Sequence, residues 1–236
     1  MTGKLIRQGT SAGTKDKFPD FPPRDDMQNF LHLYRPGHSA ALERHFGISN
    51  STVVLCEAPL RWTPGQRQGH RVPDLLVAFN ADRGVAVEQM GYSIGGQGKP
   101  PDFVLEVASP TTGEEDYTDK RKDYAAFGVP EYWRFDSSGG RFHDAPLAGD
   151  RLMDGAYQPI EIVQTDETSL WGRSEVLNLY LCWEGGQLRW WDPVAQRYLD
   201  THDEEAEGRI AEREARIQAE ARIRELEAEI RRLQQP

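Results

Sequence analysis

Two acids sit in apolar runs and a lysine follows in a charged stretch, and each is of a type that metal-assisted phosphoester chemistry uses. Asp74 lies in VPDLLVAF, Glu106 in DFVLEVAS and Lys120 in DYTDKRKDYAAFG. Alternate side chains of a strand share a face, so Glu106 joins Asp102, Val104 and Ala108, while Asp74 joins Leu76 and Ala78. A carboxylate inside such an apolar run must be paired, hydrogen-bonded or bound to a cation, because burying it bare is unfavourable. A strand-end acid reaching water or an arginine is the plainer reading of Glu106 taken alone. Asp102 shares its face but lies about 13 Å along the strand, too far for one ion. A metal partner for Glu106 must therefore come from the neighbouring strand. Asp74 is the one acid in that run, and its own plainer reading is a turn residue after Pro73.

The segment after the second strand supplies a cation. Asp116, Lys120 and Tyr124 fall at i, i+4 and i+8, and Tyr117 and Phe127 flank Lys120, which puts Lys120 beside the apolar face of a helix, with Tyr124 as a supporting residue. Lys122 has Thr118 and Ala126 as its four-residue neighbours and reads as solvated. A lysine aimed at a sheet that carries two acids can stabilise a hydroxide nucleophile or a developing phosphorane charge. The bland alternative is a surface pair of Asp116 with Lys120, a contribution of only ~0.3–0.5 kcal/mol.

These residues need a scaffold, and the chain predicts one. Residues 1–29 are rich in Gly, Pro, Lys and Asp without apolar periodicity, an irregular arm. HSAALERHF reads as a helix stopped by Gly47, followed by the strands TVVLCE and VPDLLVAF, a Gly-rich loop GYSIGGQGKPP, and DFVLEVAS. The DYTDKRKDYAAFG helix and the strand EYWRFD complete a helix-strand-strand-strand-helix-strand order. The runs YQPIEIVQ, VLNLYLCW and QLRWWD, separated by turn residues, predict an antiparallel β extension on this α/β unit. The expected division is an arm over 1–29, a domain over 30–202, and a charged helix over 203–236. Ile223, Leu226, Ile230 and Leu233 in that helix have the 3-4-3 spacing of a short coiled-coil seam, which predicts a homodimer; a single solvated helix is the alternative.

Bulk composition sets limits. A chain of 236 residues with 38% hydrophobic content fills one ordinary core plus appendages. Its formal charge is −10; ten acidic and seven basic residues from Asp203 onward account for −3 of this, so the remainder holds −7. Such a surface argues against coating nucleic acid by bulk electrostatics, although it leaves a metal site untouched. Cys56 and Cys182 lie in apolar runs without metal or redox spacing and read as packing residues. No secretory signal or membrane-length apolar run is present, which predicts a cytoplasmic protein with no membrane partner.

The stretch PPDFVLEVASPTT, the D-x3-K-x3-Y spacing after it, and GVPEYWRFD together resemble the Uma-type family of restriction endonucleases, bacterial proteins of the PD-(D/E)XK nuclease superfamily. The resemblance is dense from Tyr34 to Asp136, and the tail resembles a branch of the family. It implies a restriction-endonuclease-like fold, Asp74 as the "PD" aspartate, Glu106 as the second acid, and the Val107 carbonyl as a further ligand of one or two Mg²⁺ or Mn²⁺ ions. The E-x-K lysine position holds Ala108, so Lys120 must serve instead. Glu43 on the first helix, with His38 behind it, is the local candidate for an additional metal-reaching acid. The implied reaction is hydrolysis of DNA phosphodiesters. Its rivals are a catalytically silent binding or assembly module that pairs through the tail, and a metal-dependent hydrolase of another phosphoester.

Overall fold

The computed structural model describes residues 30–47, 49–63 and 69–234; the N-terminal arm lies outside them. A π-helical turn, Phe30–Tyr34, precedes α1 (His38–Phe46), β1 (Thr52–Cys56), β2 (Leu60–Arg61) and β3 (Leu75–Phe79). Next come α2 (Arg83–Glu88), β4 (Tyr92–Ser93), α3 (Ile94–Gln97) and β5 (Phe103–Val107). The stretch read as a Gly-rich loop thus holds a short strand and a helical turn, the turn capped by the Ser93 hydroxyl accepting from Gly96 N. A helical crossover follows, made of α4 (Gly113–Glu115), a π-helical turn Asp116–Lys120 and α5 (Arg121–Phe127), and it leads to β6 (Glu131–Phe135).

β7 (Leu147–Met153) and β8 (Ala156–Pro159) extend the first sheet, whose order is β1-β3-β5-β6-β7-β8. β9 (Ile162–Asp166), β10 (Ser169–Ser174), β11 (Leu179–Glu184), β12 (Gln187–Asp192) and β13 (Arg197–Tyr198) form a second, antiparallel sheet. The run YQPIEIVQ is therefore divided between two sheets. Pro159 has no amide to donate, which suits the end of an edge strand, and the Ile160 amide adds one more bond to the Gly149 carbonyl at 2.8 Å.

In the first sheet β1, β3 and β5 are antiparallel, and β5 and β6 are parallel, as a crossover helix requires. Both faces of this sheet are covered, so β3 and β5 are continuous apolar runs. One face, with Leu75, Val77, Phe103, Leu105 and Trp133, packs on α1 and on Leu179, Leu181, Leu188 and Trp190 of the second sheet. The Trp133 indole occupies a slot between Gly149 and Gly172, where an added Cβ would lie 2.8 and 2.7 Å from its ring. The opposite face, with Leu76, Ala78, Val104 and Tyr132, packs on Tyr124 and Phe127 of α5.

α6 (His202–Leu233) leaves the body behind a capping box in which Thr201 and Glu204 satisfy each other's backbone amides. Ile223, Leu226, Ile230 and Leu233 are all exposed along it.

Candidate metal and phosphate site

The β3–β5 ladder pairs Leu75 with Leu105, so the next step of the same register sets Asp74 opposite Glu106. Opposite residues of an antiparallel pair share a face. That face is the one under α5, because Leu76 and Val104 belong to its core. Asp74, half-buried at the start of β3, accepts at Oδ2 from the amide of Val107 at 2.7 Å, which ties it to the strand that carries Glu106.

Glu106 is completely buried. Its Oε1 accepts the Tyr124 hydroxyl at 2.5 Å, and its Oε2 lies 3.1 Å from the Lys120 ammonium. Burial and the charge of Asp74 push its carboxyl well above the usual carboxylate range, while Lys120 and Tyr124 pull the other way. Burial opposes the charge of Lys120, but Glu106 and Asp116 outweigh it and hold the ammonium protonated above the ordinary lysine range. Burial and the adjacent Glu106 likewise keep the Tyr124 phenol protonated, ready to donate.

The crossover delivers a further carboxylate. Lys120 Nζ is 2.6 Å from Asp116 Oδ1, and Asp116 is buried, its side chain only 1% exposed. The pair read from sequence as a surface ion pair is therefore interior. The π-helical turn that spans both residues explains the difference: widening the helix rotates side chains away from the 3.6-residue pattern, and such turns concentrate at functional sites. The Tyr132 hydroxyl donates to the Asp116 carbonyl at 2.7 Å.

The other Asp116 oxygen meets His143 Nε2 at 2.7 Å, and the His143 side chain is fully buried. Nothing in the sequence periodicity marks His143, since it sits in the loop between β6 and β7. Asp136 organises that loop: its carboxylate accepts from the amides of Ser138, Phe142 and His143 and from the Ser138 hydroxyl. Although burial opposes them, these hydrogen bonds hold the Asp136 carboxyl below its usual range. The loop packs tightly on the crossover, where a Cβ added at Gly113 would stand 2.0 Å from the Phe142 carbonyl oxygen.

The family model described as "Uma2: Putative restriction endonuclease" matches residues 39–171. The chain belongs to this family. Among solved structures it is similar to one titled as a "putative nuclease belonging to DUF820" from Anabaena variabilis ATCC 29413. That likeness has 14% identity and a TM-score of 0.35, over 54% of this chain and 67% of that one. No curated protein matches the chain.

Within the family frame, the structure draws Asp74, Glu106, Val107, Lys120 and Tyr124 together and leaves Asp102 and Glu43 elsewhere. Asp102 sits at the opposite end of β5, accepting from Phe79 N at 2.8 Å and pairing with Lys99 at 2.6 Å. Glu43 belongs to α1, on the other face of the sheet, and pairs with Arg83 at 3.0 Å. His38 packs edge-on against Trp190 on that same side. Lys122 points outward to Asp119 at 3.1 Å, and Ala108 is buried with no group to donate.

The donor set fits a hard divalent cation. Glu106 Oε2 is a buried oxygen that accepts no hydrogen bond, and Asp74 adds negative charge beside it. Among the described residues no group of three or more His, Cys, Asp or Glu side chains could hold a metal ion. Two carboxylates and a carbonyl would be a small protein share, compatible with Mg²⁺, which keeps waters and takes phosphate oxygens as its remaining ligands.

Proposed function

We propose that this chain is a divalent-metal-dependent endonuclease that hydrolyses DNA phosphodiester bonds in the cytoplasm. The observation that carries the reading is Glu106: completely buried, opposite Asp74 one register step beyond the Leu75–Leu105 pair, and 3.1 Å from the Lys120 ammonium. Asp74, Glu106 and the Val107 carbonyl would hold Mg²⁺ or Mn²⁺, oxygen ligands being preferred by both. A bound ion of this kind supplies Lewis-acid polarisation of a phosphate oxygen and acidification of water.

The chain's own groups do the rest. Tyr124 fixes one oxygen of Glu106 and directs the carboxylate along β5. Lys120, 14% exposed, reaches from the buried cluster toward solvent, where its charge would orient an incoming phosphate or water and offset charge that develops in the transition state. Calorimetric titration with Mg²⁺ or Mn²⁺, followed by cleavage of supercoiled plasmid, tests the reading. Uptake of the ion and cleavage are both expected to vanish in Asp74→Asn and in Glu106→Gln. Cleavage that persists in both variants sinks the assignment.

A second reading is favoured by the exposed Ile223, Leu226, Ile230 and Leu233: a nuclease-fold module that self-associates through α6 as a homodimer. It differs from the first in needing no divalent ion at Asp74 and Glu106.

A further inference from the structure

The Lys120 ammonium is held from two sides, and only Glu106 belongs to the carboxylate pair assigned to the cation. The second hold, Asp116, has both carboxylate oxygens engaged: Oδ1 with Lys120 at 2.6 Å and Oδ2 with His143 Nε2 at 2.7 Å. Its backbone is pinned by Tyr132, and the His143 backbone is pinned by Asp136. We propose that Asp116 and His143 are positioning residues for Lys120. His143 donates through Nε2 to Asp116, and the carboxylate so locked sets the ammonium beside Glu106. This rests on the nuclease reading of Asp74, Glu106 and Lys120.

Lysine needs such help. Its ammonium rides on a flexible four-carbon stem and has no planar fork to orient it, so its precision must come from its partners. An Asp116 with one oxygen free could turn about its own side chain and carry the ammonium with it. Misplacing a reacting group by about 1 Å can lower a rate by about 100-fold. The two ion pairs occupy two sides of the ammonium, and its 14% exposure leaves a side open to a ligand.

The cluster also has the wrong composition for a purely structural role. Buried ion pairs are often matched or bettered in stability by apolar residues of similar volume. Here a buried histidine is kept although its Nδ1 makes no hydrogen bond, a desolvation cost that packing alone does not require.

The test uses the full chain with ¹⁵N-labelled lysine. A buried, hydrogen-bonded ammonium exchanges slowly enough to give its own NMR signal, assigned to Lys120 by its loss in Lys120→Met. His143→Leu, which removes the donor, is expected to abolish or shift that signal. His143→Gln, whose amide nitrogen reaches about as far as Nε2, is expected to restore it. In plasmid cleavage with Mg²⁺, His143→Leu should lower kcat by about 10-fold or more with KM unchanged, and His143→Gln should recover most of it. If His143→Leu fails to fold, His143→Asn, too short to reach Asp116, takes its place in the comparison with His143→Gln. An ammonium signal unchanged in the folded Leu or Asn variant, or a Gln variant no better than these, overturns the proposal. The NMR signal needs no turnover, so a wild-type chain that cleaves nothing refutes the nuclease reading and leaves this test standing.

Discussion

Tyr124 donates its hydroxyl to Glu106 Oε1 across 2.5 Å, from the middle of α5 to the middle of the sheet. This bond satisfies an oxygen that has no access to water, and removing it leaves a buried acceptor unpaired. Tyr124→Phe is therefore expected to cost about 1–3 kcal/mol in urea unfolding. The same change made on a Glu106→Leu background should cost far less, because the acceptor is then gone. Additive effects in that double-mutant cycle would show that the two residues are not coupled.

Lys120 and Lys122 are two residues apart in sequence and differ fundamentally in setting. Lys122 is 76% exposed and pairs with Asp119, whereas Lys120 touches two buried carboxylates. Lys120→Ala is expected to reduce divalent-dependent plasmid cleavage by about 100-fold or more, the scale of a lost transition-state donor, while Lys122→Ala changes little. Equal effects of the two substitutions would remove Lys120 from the mechanism.

His38 makes the stability of the fold depend on pH. Burial and the nearby Arg189 hold the His38 imidazole down to about 3, so the fold accepts it only in the neutral form. Its folded pKa lies below the unfolded value of about 6.5, so its contribution to stability is complete above that pH and is lost as pH falls toward 3, by about 1.4 kcal/mol per unit. His38→Gln should flatten the decline in urea midpoint between pH 6.5 and 4. Parallel declines in the two proteins would place the acid sensitivity elsewhere.

The apolar stripe of α6 predicts self-association. Light scattering on the full chain is expected to give about twice the mass per particle expected for one copy, and on a chain ending at Thr201 the mass of one copy. The same single-copy mass for both would leave α6 a solvated helix.

The packing of Trp133 gives a stability test far from the site. An added methyl at Gly149 or Gly172 must displace the indole, so Gly149→Ala and Gly172→Ala should each cost roughly 1–3 kcal/mol, the range for overpacked cores. Thermal denaturation that leaves either variant unchanged would show that the slot can open.

Much of this arrangement can be read in the residues because strands have a period of two. Alternation alone places Asp74 and Glu106 on the face shared with Leu76 and Val104, and helical spacing turns Lys120 toward that face. The reading stops where periodicity stops. The burial of Asp116 depends on a π-helical turn, which no 3.6-residue pattern reveals. His143 depends on a loop folded around Asp136, and loops carry no alternation to read. Asp102 and Glu43 look like supporting acids in sequence, but their partners Lys99 and Arg83 are set by loop and helix positions that the sequence pattern does not specify.

The parallel β5–β6 connection has a consequence for how the molecule assembles. Glu106, Asp116, Lys120 and Tyr124 lie within 18 residues of one another, whereas Asp74 is 32 residues from Glu106 and His143 is 27 from Asp116. Contacts of short sequence separation close fastest. The lysine, Tyr124 and the acids beside them are therefore expected to meet first, with Asp74 and His143 arriving when β3 and the β6–β7 loop dock. A chain paused at that stage would hold Lys120 beside Glu106 and Asp116 while lacking Asp74 and His143.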